Sequence, residues 1–164
     1  MLVHPSSSVF YVHSTPLTQS QLVPEMTDTA SNISPASESL KRDFGYGRRA
    51  LVVDDVSDVT EMLSVLLSHA GYEVVTALSA HGALEAVHKE RFDVIISDIG
   101  MPEMNGYQLA REIRALPGYD TVPMIAVTGY SMFDDRERSL NAGFSAHLTK
   151  PIEPRALLDL IETL

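Results

Sequence analysis

The chain has 164 residues, with 12 Lys and Arg against 22 Asp and Glu, a formal charge of −10 with histidines neutral, and no cysteine. The acid excess argues against nucleic acid or an anionic membrane surface as partner, since both call for a basic face. The absent thiols rule out a disulfide framework, a thiolate zinc site and a cysteine nucleophile.

A hydrophobic content of 45% suits a packed globular chain. No apolar run is long enough to span a bilayer. The first ten residues lack the basic and apolar regions of a secretory leader, so a soluble, cytoplasmic protein is expected. Residues 1–48 hold nine Ser, four Thr and four Pro, with apolar residues scattered and without period. Such a stretch cannot bury enough surface to offset its ordering entropy and is expected to be a disordered tail or linker. Within it only Val9-Phe10-Tyr11-Val12 forms an apolar cluster. Three basic and four acidic residues leave the tail nearly neutral, so the acidity belongs to residues 49–164.

From Arg49 the pattern changes. Leu51-Val52-Val53, ending in Asp54-Asp55, reads as a buried strand. Ser57 is expected to cap a first helix whose inward face is Val59, Met62, Leu63, Leu66 and Ala70, stopped at Gly71. Tyr72, Val74 and Val75 carry a second strand, and Ser79 caps a helix through His88. Residues 92–96 form a third strand ending in Ser97-Asp98; a loop with Pro102 and Gly106 leads to a helix bearing Leu109, Ile113 and Leu116. Residues 122–127 form a fourth strand ending in Thr128-Gly129, followed by a helix from about Met132 to Ala142. The fifth strand, Ala146-His147-Leu148, ends in Thr149-Lys150-Pro151, and a last helix opens at Pro154. Five apolar strands alternating with five helices predict one doubly wound α/β domain with a parallel sheet, for which 2-1-3-4-5 is a common order.

Ligands of such sheets bind beyond the strands' carboxyl ends. Asp54, Asp55, Asp98, Thr128 and Lys150 all stand at strand ends and are expected to converge there. Two like charges at about 4 Å and an effective dielectric near 20 repel by roughly 4 kcal/mol. A hard divalent cation such as Mg²⁺ would relieve that repulsion through oxygen ligands alone. A carboxylate so placed can act as a nucleophile toward phosphorus, with metal, Lys150 and Thr128 stabilising charge on the phosphoryl oxygens.

Val53-Asp54-Asp55, Ser97-Asp98-Ile99-Gly100-Met101-Pro102, Val127-Thr128-Gly129 and Leu148-Thr149-Lys150-Pro151 together resemble, in order and spacing, the signature of response-regulator receiver domains. The likeness covers about residues 49–164 and is greatest to receivers of hybrid sensor histidine kinases. It implies a flavodoxin-like fold with Asp98 as phosphoacceptor. Asp55 would be a direct Mg²⁺ ligand, Asp54 a ligand directly or through water, and the Gly100 carbonyl the third protein ligand. It implies Thr128 as switch hydroxyl, Lys150 as phosphate-binding lysine and a cis bond before Pro151. His147 stands where many receivers carry a Tyr or Phe that swings inward, which puts a rotamer switch there in doubt. Gly100 and Tyr130 occupy positions that influence water access in the family; neither carries an acid or amide, so a long-lived aspartyl phosphate is expected.

The resemblance implies a histidine kinase or histidine phosphotransfer protein as donor, docking near the first helix and the loop at 151–154, and a downstream protein target. No DNA-binding output domain is expected after the fifth helix. A receiver-like adaptor that works without phosphorylation is one alternative. A Mg²⁺-dependent phosphatase is another, but its second acid would fall at Gly100. The helical histidines His69, His81 and His88 are expected to be solvated, Tyr107 and Phe144 to pack, and Met101 and Met104 to cover the site.

Overall fold

The computed structural model describes residues 10–11, 47–129 and 133–164. The remainder of the tail, Tyr130 and the expected helix start at Met132 lie outside the described residues. The elements in chain order are β1 (Phe10–Tyr11), β2 (Arg49–Val53), α1 (Ser57–His69), β3 (Glu73–Ala77), α2 (Ala80–Lys89) and β4 (Val94–Asp98). There follow α3 (Gly106–Arg114), β5 (Met124–Thr128), α4 (Phe133–Ala142), β6 (Ala146–Thr149) and α5 (Pro154–Thr163).

The sheet order is β1-β3-β2-β4-β5-β6. The strands β2 to β6 are the five expected from sequence, all pairing in parallel and in their own order 2-1-3-4-5. The sixth strand corrects the reading of the tail. Phe10 and Tyr11 lie antiparallel on β3, opposite Thr76 and Val75. Two residues carry too little pattern to register as a strand.

Alternation along the strands builds two cores. Leu51, Val53, Val75 and Ile95 pack with Ala83, Val87, Leu109, Ile113 and Ala142 of α2, α3 and α4. Val52, Val74, Ile96 and Ile125 face the other way, onto Leu63 and Leu67 of α1 and Leu157 and Ile161 of α5. Strands covered on both sides need apolar residues at every position, which is why they read as unbroken runs.

Two details of α1 differ from expectation. Val56, not Ser57, is the N-cap, and it makes no side-chain cap bond. Leu63 is buried and Val59, Leu66 and Ala70 pack against the core as expected, but Thr60, Ser64 and Leu67 are buried too, while Met62 is 49% exposed. Thr60 can be buried because its hydroxyl donates to the Ser57 carbonyl at 2.8 Å. Elsewhere capping follows sequence chemistry: Ser79 Oγ accepts from the Gly82 N–H at 3.1 Å, and Asn105 with Gln108 forms a reciprocal capping box. Among the described residues no helix is long and apolar enough to cross a membrane.

Arg114 ties the end of α3 to two loops. Its guanidinium donates to the carbonyls of Gly143 at 2.8 Å, Tyr119 at 2.5 Å and Val122 at 2.7 Å. Burial pushes its pKa down while Asp120 pulls it up, the net direction being down. Arg114→Met is expected to cost about 2 kcal/mol, because it strands three carbonyls that lack other cationic partners. The check is a urea unfolding curve, in which an unchanged midpoint contradicts the clamp.

Candidate functional site

The carboxyl ends of β2, β4, β5 and β6 meet at one edge of the sheet. Asp98 is the last residue of β4 and sits opposite Val127, while Thr128 ends β5 opposite Thr149. The backbone N–H of Lys150 donates to the Thr128 carbonyl at 2.7 Å, which continues the β5–β6 pairing one bond past Thr149. The Lys150–Pro151 bond is cis.

The ammonium of Lys150 lies 2.7 Å from Asp54 Oδ2 and 2.7 Å from Asp98 Oδ1. The two carboxylates are therefore no farther apart than twice that distance, bridged by one positive charge. Asp54 is 2% exposed and Asp98 6%. The other oxygen of Asp54, Oδ1, accepts the Val56 N–H at 2.9 Å. Burial pushes the Asp98 carboxyl above its ordinary pKa; Lys150 pulls it down, Asp54 adds to the rise, and the Gly100 N–H opposes it, leaving it raised. For Lys150 burial pulls the other way, but the two carboxylates outweigh it and its pKa is raised.

The other expected residues differ in exposure and partners. Asp55 is exposed, on the solvent side of the turn. His147 on β6 turns to α4, where Ser139 Oγ lies 3.1 Å from its Nδ1. Thr128 is buried. Tyr107 and Phe144 are buried as expected, and Met101 and Met104, expected to cover the site, pack into the same core. His69 and His88 are exposed, yet each ring meets the carbonyl four residues earlier, at 2.7 and 2.6 Å.

Two residues with a part in the site carry no obvious mark in the sequence. Ser139 is fully buried, but a lone serine in a polar helix gives no sign of it. Gly106 packs directly on the backbone of Asp98: a Cβ there would stand 2.8 Å from Ile99 Cα and 3.1 Å from the Asp98 carbonyl carbon. Its N–H donates to the Ile99 carbonyl at 3.0 Å.

Among the described residues no three acidic or histidine side chains are gathered as metal ligands. The donor chemistry nonetheless fits a small hard cation, because every candidate atom is an oxygen: the carboxylates of Asp54, Asp55 and Asp98, and the Gly100 carbonyl. Gly100 also leaves room beside the acid, since a Cβ there would lie 3.4 Å from Asp98 Oδ2.

The sequence matches the response regulator receiver domain over residues 50–162. The chain belongs to that family. The receiver is 39% identical over 112 residues to an uncharacterized 14.6 kDa protein of Leptolyngbya boryana, covering 68% of this chain and 86% of that one. It is 32% identical over 146 residues to the signal transduction histidine-protein kinase BarA of Escherichia coli (strain K12), covering 89% of this chain but 16% of the kinase. That match bears out the likeness to receivers of sensor kinases. Among solved structures, the chemotaxis protein CheY4 of Vibrio cholerae superposes with a TM-score of 0.68 at 34% identity, over 71% of this receiver and 97% of that protein.

Proposed function

We propose that this receiver is a phosphoacceptor of a two-component phosphorelay: Asp98 takes a phosphoryl group from a phosphohistidine, and the modified domain changes its protein contacts. The observation that carries the reading is the single ammonium shared by Asp54 and Asp98 at the sheet's carboxyl edge. A carboxylate oxygen of Asp98 forms the new bond to phosphorus while the bond from phosphorus to the donor's imidazole nitrogen breaks, and the electron pair leaves with the imidazole. Burial makes Asp98 more basic than an ordinary carboxylate, which favours attack.

Asp54, Asp55, Asp98 and the Gly100 carbonyl would hold Mg²⁺, which when bound neutralises charge on the phosphoryl oxygens. Lys150 keeps its ammonium at the acceptor and offsets the charge the phosphoryl group brings. Thr128, at the end of the neighbouring strand, is the hydroxyl assigned to the incoming oxygens. Gly100 puts no acid or amide beside Asp98, so nothing there orients water for hydrolysis and the phosphorylated form is long-lived. The domain itself is not a turnover enzyme.

The donor docks against α1 and the loop at 151–154. What supports this is the apolar surface that α1 leaves in water: Val56 is 48% exposed, Met62 49% and Val65 58%. Output passes through a downstream protein, since a net charge of −10 does not suit contacts with phosphates.

Incubation with acetyl phosphate and Mg²⁺, read by intact-protein mass spectrometry, tests the reading. The wild type should gain the mass of one phosphoryl group and Asp98→Asn none. Equal labelling of the two, or labelling of neither, overturns it. Omitting Mg²⁺ should abolish the gain.

A further inference from the structure

The α3–α4 cleft has no part in the reading above. It has a volume of about 430 Å³ and is lined by Asn105, Tyr107, Gln108 and Arg111 on one side and Arg138 and Asn141 on the other. No carboxylate lines it, although the chain carries 22 acids. Gln108 and Arg111 are one helical turn apart, as are Arg138 and Asn141, so two polar stripes face each other along the cleft.

The hydrogen-bonding capacity of this lining is weighted toward donors. In the capping box Asn105 Oδ1 accepts from the Gln108 N–H at 3.0 Å, and Gln108 Oε1 accepts from the Asn105 N–H at 3.1 Å. Both amide oxygens are thereby engaged, and what each side chain retains is its NH₂ donor. The guanidinium of Arg138 lies over the ring of the buried Tyr107, 5.1 Å from its centroid, which fixes its position. Among the described residues neither Arg111 nor Arg138 makes a salt bridge. Two guanidiniums and the NH₂ groups of Asn105 and Gln108 thus line the cleft, beside Asn141, whose amide offers both a donor and an acceptor.

We infer that the α3–α4 cleft is the docking site for an acidic segment of a protein partner, one presenting two or three carboxylates within a turn or two. Guanidinium forks take carboxylates in paired hydrogen bonds, and the amide donors complete the set. A long polyphosphate chain would meet the field of a chain with net charge −10, whereas a short acidic segment lies within reach of the two arginines and is screened from most of the rest. The walls of the cleft are hung on the phosphoacceptor site: α3 starts at Gly106, seated on the backbone of Asp98 and Ile99, and α4 is bonded through Ser139 to His147. Partner binding and the state of Asp98 are then coupled. That coupling rests on the phosphoacceptor reading, whereas the docking does not.

Fluorescence anisotropy on the full chain, with a labelled peptide of alternating Glu and Ala and a matched Gln and Ala peptide, tests the docking without phosphorylation. The Glu peptide should bind at least tenfold more tightly than the Gln peptide, and more weakly as salt rises. Arg111→Gln with Arg138→Gln should remove that preference. Both residues are exposed, so the variant should keep the wild-type urea midpoint and its phosphoryl gain at Asp98. Equal binding of the two peptides, or an unchanged preference in the double variant, overturns the inference. The mass measurement reports on the phosphoacceptor reading separately.

Discussion

Lys150→Met should lower folding stability by about 3 kcal/mol at neutral pH, measured by urea unfolding, and should slow phosphoryl uptake. Among the described residues Lys150 is the one cation in contact with Asp54 and Asp98, both nearly sealed from water. Removing one partner of a buried ion pair strands the remaining charge, and here two like charges are stranded together. Methionine fills a similar volume, so the loss is electrostatic rather than steric. The sign with pH follows from the carboxyls. Asp98 already has a folded pKa above its unfolded value, and removing the ammonium raises it further. An acid with a raised folded pKa destabilises the fold when ionised and stops doing so once protonated. The deficit of the variant should therefore be largest above neutrality and shrink as the pH falls toward the carboxylate range. A deficit independent of pH would mean that Lys150 acts by packing alone.

Gly106→Ala should be equally severe, at about 3 kcal/mol, for a different reason. The added methyl would meet the backbone of Asp98 and Ile99, not the tip of a side chain that could rotate away. Either α3 or the end of β4 must shift, and overpacking against backbone lies at the costly end of its range. Since the shift falls on the residue bearing the nucleophile, phosphoryl uptake should drop along with the urea midpoint. Gly82→Ala is a suitable contrast, because a Cβ there would meet only the Ser79 hydroxyl at 3.4 Å and Ala77 Cβ at 3.7 Å.

Much of this architecture could be read from the residues, and the places where it could not share a physical cause. The strands were legible because burial on both faces demands unbroken apolar runs, as in Leu51-Val52-Val53 and Val94-Ile95-Ile96. Asp54, Asp98 and Lys150 were legible because position at a strand end determines which edge they occupy. The burial of Asp54 beside an exposed Asp55 was not: consecutive residues leaving a strand point to opposite sides, and the sequence does not say which of the two acids is covered. On α1, Leu63, Val59, Leu66 and Ala70 pack on the core as expected, but Met62 is exposed and Thr60 and Ser64 are buried, which a count of apolar residues alone does not show. A hydroxyl that bonds its own helix can be buried at little cost, as Thr60 does. The closeness of Gly106 to Asp98 and of Ser139 to His147 depends on packing between distant segments, which no local pattern encodes. The pairing of Phe10 and Tyr11 with β3 is of the same kind.

The ion triangle also bears on how the sheet opens. Lys150 follows β6 at one margin, Asp54 follows β2, and β4 and β5 lie between those strands. If β6 and α5 frayed on their own, the ammonium of Lys150 would be withdrawn from two carboxylates left behind in the interior. Local opening at that margin thus carries an electrostatic penalty beyond its lost strand pairing. The last strand is thereby fastened to the first core strand, and its amides should exchange with solvent on the schedule of the sheet's centre rather than of an edge.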